Sequence, residues 1–362
     1  MSGMRQDQVE TLARLQRALA FDFRIVPVAA PDAPIFLAVS IPLTDAVTGT
    51  KPRLPSGRGI TLPQAMISSG AEALELRASL AQSHASAKVE LPRLSGQAMI
   101  PALDLLSGQT RPVPAQQVYL DWAAVTGEEL TTDARSTGCA CGCNLEEAHR
   151  MALFEAIERD AVAFWWHGDV AAIPLSNDLI DTQEPRLSWW LEQRPRRFQL
   201  LGLTTDVGLP VVLAVSSDPD GRHIVTGSAA RFDMGSAALA AVTEMIQMEV
   251  SFARALAADN AEARAWFDFA TCDLPQFKQR AVDSPITRHA FDDATLLKRL
   301  ADLGLCALAV DLTLPGDPLY CARVLVPGLC DMGGRIDHPR FRQARGILDP
   351  KIPLTHHEPE PF

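Results

Sequence analysis

This sequence predicts an α/β fold (mixed α+β), with mixed sheets flanked by long helices, and two observations carry that reading. Short runs rich in Val, Ile, Leu and Phe alternate along the chain with long stretches whose apolar residues recur at helical spacing. No linker-like run separates two halves, so strands and helices are expected to share one large architecture rather than form separate beads.

The elements follow in order. Residues 6–20 form a short amphipathic helix, and FRIVPVAA (23–30) and IFLAVSIP (35–42) are strands; residues 1–50 are expected to be part of the same unit as the main domain, 51–345. A loop rich in Pro, Gly and Arg, TGTKPRLPSGRGI, leads into a helix over 61–82. Thr61 is its N-cap, Pro63 lies in its first turn, and Gln64 stands three residues after the cap. QQVYLDWAAV (116–125) reads as a strand. A long helix spans 144–167, capped by Asn144, with Glu146 and Glu147 in the first turn where the dipole favours acids. Strands recur at 198–205, 209–217 and 223–230. Helices follow at 236–258 and 294–303, and the last strands at 306–314 and 319–328. Residues 346–362, polar and Pro-rich, are expected as an extended tail.

Composition narrows the function. The 362 residues carry 33 Lys and Arg against 44 Asp and Glu, a formal net charge of -11. That balance argues against nucleic acid as a partner, because phosphate neutralisation needs a basic surface, and it offers no attraction to an anionic membrane. Hydrophobic residues make up 47% of the chain, which excludes disordered and collagenous classes. No stretch reaches the roughly 18 consecutive apolar residues of a membrane span, and the charged N-terminus lacks the apolar core of a secretion signal. The 7 cysteines suggest no disulfide framework, so a cytoplasmic location is expected.

Acidic residues on the helices stand out. Glu72 and Glu75 lie three apart, roughly 60° around a helix axis, among small neighbours in SSGAEALEL. Glu147, Glu155 and Glu158 fall within an arc of roughly 80° on a helix whose other faces are apolar. Carboxylates on one stripe repel unless cations neutralise them, and hard oxygen ligands of this kind suit Mg²⁺ bridging nucleotide phosphates. A solvated face paired with Arg or Lys is the competing reading. The small-residue loop ARSTGCACGCN (134–144) opens the helix and could seat an anion, although it lacks the GxxxxGK[ST] pattern.

Four blocks in order resemble the YcaO family. STGCACGCNLEEAHRMALFEAIERDAVAFWW (136–166) is similar to STGLAAG-x-T-LEEA-x-x-x-ALLE-x-IERDA. SGRGITLPQAMISSGAEALEL (56–76) is similar to G-[KR]-G-x-T-x-x-Q-A…S-x₃-E-x-x-E-R. TGSAARFDMGSAALAAVTEMIQ (226–247) is similar to GSAARLDPE…ALTEAAQ, and VDLTLPGDPLYCARVLVPGL (310–329) to VDLT…GLPVVRVVVPGLE. The resemblance implies a YcaO-like ATP-binding fold in which helix carboxylates hold the phosphates through Mg²⁺. It implies activation of a peptide backbone amide by phosphorylation of its carbonyl oxygen. A substrate Cys, Ser or Thr then gives an azoline, or an external sulfide gives a thioamide.

On this resemblance Glu72, Glu75, Glu147, Glu155 and Glu158 are the Mg²⁺–ATP ligands and Arg159 contacts phosphate. Ser68, Ser136, Gly138, Arg231, Glu244, Gln247 and Arg323 surround the nucleotide. Three departures stand out: Leu76 replaces the motif Arg, with Arg77 one place on; Cys143 replaces an amide-bearing residue; Glu249 stands where a basic residue often follows the Gln. A peptide or protein is the implied substrate. With no evident fused leader-binding domain, a TfuA-like or leader-peptide-binding partner is expected, and a homodimer is a further expectation. The alternative is a nucleotide-binding but non-catalytic scaffold subunit, which the altered Arg favours.

Two features stay open at this level. Cys139, Cys141 and Cys143 are either small buried residues or a metal or redox group. Trp165-Trp166 and Trp189-Trp190 are either packing or groove walls.

Overall fold

The computed structural model describes residues 2–29, 32–50, 53–84, 91–131, 134–168, 170–277, 291–331, 339–344, 346 and 359–360. Most of the expected tail, with His356 and His357, lies outside the described residues. The chain sorts into two compact units: one holds Met1–Ala29, Ile35–Ala156 and Gly304–Pro327, the other Ala30–Pro34, Ile157–Leu303 and Gly328–Phe362.

In the first unit, α1 (Ser2–Ala18) precedes β1 (Phe23–Val28), β2 (Phe36–Pro42) and β3 (Ser56–Gly59), which form an antiparallel sheet in that order. Next come α2 (Leu62–Ser79), β4 (Arg93–Leu94), β5 (Gln97–Asp104), β6 (Thr110–Pro114), α3 (Ala115–Val118), α4 (Trp122–Thr126) and β7 (Cys139–Gly142). The helix α5 (Leu145–Trp166) then runs from this unit into the other, with the boundary after Ala156.

The expected capping box closes α2. Gln64 N–H donates to Thr61 Oγ1 at 3.4 Å and Thr61 N–H donates to Gln64 Oε1 at 3.1 Å, so two orphan donors are satisfied together. One face of α2, with Ala65, Ser69, Gly70 and Ala73, is buried. Gly57 of β3 makes that approach possible: a Cβ there would lie 2.1 Å from Ser69 N and 2.5 Å from Ala65 O. The core of this unit joins Leu15, Leu19, Leu74, Leu80, Val118 and Leu312.

The second unit runs β8 (Ile173–Leu175), α6 (Asp178–Gln183), α7 (Pro185–Gln193), β9 (Arg197–Leu203), β10 (Val211–Ser217), β11 (Val225–Ala230), α8 (Met234–Ala257), α9 (Ala261–Phe269) and α10 (Asp293–Asp302). Its sheet has the order β11-β10-β9-β8. Asp233 caps α8, which starts two residues before the expected 236, its carboxylate accepting from Ser236 N–H at 2.8 Å. Ala237, Ala238, Ala241, Val242 and Met245 of α8 are buried. Gly227 of β11 again allows close contact, since a Cβ there would lie 2.2 Å from Met245 N. Trp165 and Trp166 are buried, Trp166 packing on Trp266 at 5.5 Å, so packing is their role; Trp189 stays exposed. The chain then returns to the first unit through β12 (Leu308–Asp311) and β13 (Tyr320–Leu325), completing a sheet of order β4-β5-β12-β13-β7 with β6 beside β5. A short α11 (Pro339–Ala344) follows.

The α/β class holds, with two corrections. The strand ladders, expected as mixed, are antiparallel among the described residues, the one parallel pairing being the isolated bridge Leu80–Leu120. Short connections such as those joining β9, β10 and β11 permit only antiparallel neighbours. The strand expected at 116–125 is instead the short helices α3 and α4. Asp121 between them has φ 59°, a left-handed turn that ends any extended run.

Candidate functional site

In the first unit the acids are gripped by strand amides. Ser56 N–H, at the start of β3, donates to Glu72 Oε2 at 2.9 Å. Cys141 N–H of β7 donates to Glu75 Oε1 at 2.8 Å. The Glu75 carboxyl titrates well above its ordinary range. Burial is the main cause, the Glu72 and Glu155 charges add to it, and the Cys141 amide works against it. Glu72, Glu75 and Glu155 are therefore one crowded group.

Glu147 does something different. Asn144 Oδ1 accepts Glu147 N–H at 2.8 Å as the expected cap, and the Glu147 carboxylate accepts Cys143 N–H at 2.8 Å. It closes the start of α5.

The loop before β7 presents Ser136 exposed and Gly138 buried at φ 75°. Gly138 is required twice over, because a Cβ would also fall 2.4 Å from Val324 O. Arg323 of β13 is 1% exposed, opposite Cys139 in register. Its Nη1 reaches Thr137 O at 3.4 Å and Gln117 O at 3.5 Å, while its Nε and Nη2 have no hydrogen-bond partner among the described residues. A buried guanidinium with donors to spare suits an anion. Burial pushes the Cys139 thiol up to about 12; Arg323 pulls it down, and Glu75 and Glu155 push it further up. Arg323 and the crowded acids therefore share one neighbourhood. Ser68 is half-buried on α2.

In the second unit Glu158 is buried, and its carboxyl is raised from 4.5 to about 7. Burial leads, the Glu244 charge adds, and Arg159, Ser228 and Arg231 act in opposition. Ser228 Oγ donates to Glu158 Oε1 at 2.7 Å, and Ser228 N–H donates to Glu244 Oε2 at 3.1 Å. Gln247 lies one turn beyond Glu244 and is buried; Arg231 Nη1 donates to Ala230 O at 2.6 Å.

Sequence reasoning missed Ser56 and Ser228, whose only signal was a Ser beside a strand Gly facing an acidic helix. The departures resolve locally. Arg77 pairs with Asp22 at 2.7 Å and with Asp317, holding α2 in place. Glu249 accepts from Arg194 at 3.0 Å and pairs with Arg196 at 3.3 Å. Cys139 is buried and Cys143 exposed. Cys141 faces Cys321 across the sheet. No group of three or more His, Cys, Asp or Glu among the described residues is arranged to hold a metal ion.

Oxygen donors without a closed cage fit Mg²⁺, which typically takes one or two carboxylates and completes its shell with phosphate oxygens and water. Crowded glutamates held by main-chain donors, near a buried arginine, are chemistry of the kind that suits a nucleotide held through a cation. The chain belongs to the YcaO family: the family model described as YcaO cyclodehydratase, ATP- and Mg²⁺-binding, matches residues 93–330, and ATP and Mg²⁺ are the cofactors of that family. The resemblance read from the sequence blocks is thereby borne out. A solved structure titled heterocyclase in complex with substrate and cofactor matches with TM-score 0.80 and 20% identity, over 98% of this chain and 57% of that one. YcaO from Methanopyrus kandleri bound with AMPPCP and Mg²⁺ matches with TM-score 0.69 and 22% identity, over 93% of each chain. The E. coli microcin synthetase McbBCD complex matches with TM-score 0.63 and 15% identity, over 84% of this chain and 87% of that one. At these identities the likeness is one of fold. This chain spans little more than half of the heterocyclase. A search of curated proteins finds no match. No helix among the described residues is long and apolar enough to cross a membrane.

Proposed function

We propose that this chain uses ATP and Mg²⁺ to activate a backbone amide of a peptide or protein substrate. The observation that carries the reading is the crowding of Glu72, Glu75 and Glu155, which adds to burial in raising the Glu75 carboxyl and which a divalent cation would relieve. Glu72, Glu75, Glu147, Glu155 and Glu158 are the acids that would supply Mg²⁺ with oxygen ligands, one or two to an ion, and Arg159 would meet phosphate. Ser68, Ser136, Gly138, Arg231, Glu244, Gln247 and Arg323 line the nucleotide. The bound nucleotide supplies the phosphoryl group that turns an amide oxygen into a leaving group. The chain's own part is to position and to neutralise charge, which needs few acid–base groups. The heterocyclase neighbours support ring closure by a substrate Cys, Ser or Thr to an azoline; external sulfide would give a thioamide instead. A TfuA-like or leader-binding partner, a homodimer and a cytoplasmic setting complete the proposal.

Calorimetry of Mg²⁺–ATP with the wild type and Glu155→Ala tests it. Saturable, Mg²⁺-dependent binding lost in the variant is expected; a folded wild type that binds nothing would sink the assignment. The scaffold alternative draws on Arg77, which is tied to Asp22 and Asp317 where the motif would supply a guanidinium at position 76. Binding without phosphate release in the presence of substrate peptide would favour it.

A further inference from the structure

Within the second unit one residue touches two of the acids, and nothing in the sequence motifs had given it a role. We propose that Ser228 is a positioning residue, setting the Glu158 and Glu244 carboxylates for a divalent cation. The inference rests on the nucleotide-binding reading above and deepens it.

The geometry is specific. Ser228 lies in the middle of β11, opposite Leu213 of β10, and is 7% exposed. It donates in two directions. Its hydroxyl goes to Glu158 Oε1 on α5 at 2.7 Å, and its main-chain N–H goes to Glu244 Oε2 on α8 at 3.1 Å. The preceding Gly227 is what brings β11 close enough to α8 for the second bond. One oxygen of each carboxylate is thus fixed by a neutral donor.

Two carboxylates held on one serine would otherwise turn apart to reduce their repulsion, and orienting donors of this kind typically change metal affinity about 10–100-fold when removed. Only the hydroxyl is written in the side chain. Ser228→Ala therefore frees Glu158 while Glu244 keeps its amide, and Ser228→Thr keeps both bonds.

The test is Mn²⁺ binding in the presence of AMPPCP, followed by the electron paramagnetic resonance signal of free Mn²⁺, with each variant's thermal unfolding midpoint measured alongside. Ser228→Ala is expected to bind Mn²⁺ about 10–100-fold more weakly, with Ser228→Thr restoring most of the affinity and the Ala midpoint close to wild type. A purely structural serine would move the midpoint and leave affinity per folded molecule unchanged, which would overturn the proposal. Affinity of the Ala variant within about twofold of wild type would overturn it alone. A wild type that fails to bind Mn²⁺ with AMPPCP would overturn the nucleotide-binding reading and this inference together.

Discussion

Replacing Glu158 by Gln should stabilise the ligand-free protein while abolishing its use of a cation. The carboxyl is buried and raised from 4.5 to about 7. A tenfold change in proton affinity is worth about 1.4 kcal/mol, so keeping this group ionised in the fold is disfavoured by about 3 kcal/mol at most. The sign follows from proton counting. Below 4.5 the group is protonated folded and unfolded alike, and it opposes nothing. Between 4.5 and 7 the unfolded chain has released the proton and the folded one has not, so stability falls as pH rises; above about 7 the loss is complete. Gln cannot ionise, its carbonyl can still accept from Ser228, and its amide can donate towards Glu244. Urea unfolding in the presence of a chelator, at pH 5 and at pH 8, should give Glu158→Gln an advantage of about 1–3 kcal/mol at pH 8 and much less at pH 5. An equal effect at both pH values, or a loss at pH 8, would refute the argument that crowding and burial set this group.

Two further outcomes follow from packing. Gly227→Ala places a Cβ 2.2 Å from Met245 N and 2.5 Å from Ala241 O, backbone atoms that cannot swing aside; a loss of about 1–3 kcal/mol, read by urea unfolding, is expected. Arg77→Ala leaves Asp317 buried without its partner and should lower stability by about 3 kcal/mol. Its Mg²⁺–ATP affinity, measured by calorimetry, should stay at the wild-type value, because Arg77 serves α1 and the loop before β13 rather than the acids.

The longer helices α2, α5, α8 and α10 were legible to within a few residues, because a cap and a 3.6-residue period are local facts, whereas the short helices α6, α7 and α9 were not foreseen. Thr61 with Gln64, and Asn144 with Glu147, announce their helices in sequence and do the same work in the fold. Strands were less legible where pairing overrides composition. Ser56–Gly59 has no apolar residue, yet it is a strand because β2 pairs with it and Gly57 admits α2. The hairpin of β5 and β6 carries Pro101 opposite Pro112, and no strand was expected in that segment. The spacing of the acids along their helices was legible, whereas their holders were not: a main-chain N–H leaves no trace in the sequence beyond the neighbouring Gly. The unequal jobs of Glu147 and Glu75 were equally hidden, since spacing gives the direction of a carboxylate and not what it meets.

Because Glu72, Glu75 and Glu244 each accept from a main-chain amide, that part of their grip persists whatever side chain the gripping residue carries. The thiols of Cys141 and Cys143 add side-chain hydrogen bonds to Glu75 and Glu147, and alanine at either place would remove those and leave the main-chain bonds, while the glycines that let sheet and helix meet cannot be exchanged so freely. Divergence in such a protein can run through the strand positions next to its acids and leave their alignment intact, so the run Cys139-Ala140-Cys141-Gly142-Cys143 is compatible with an unchanged site.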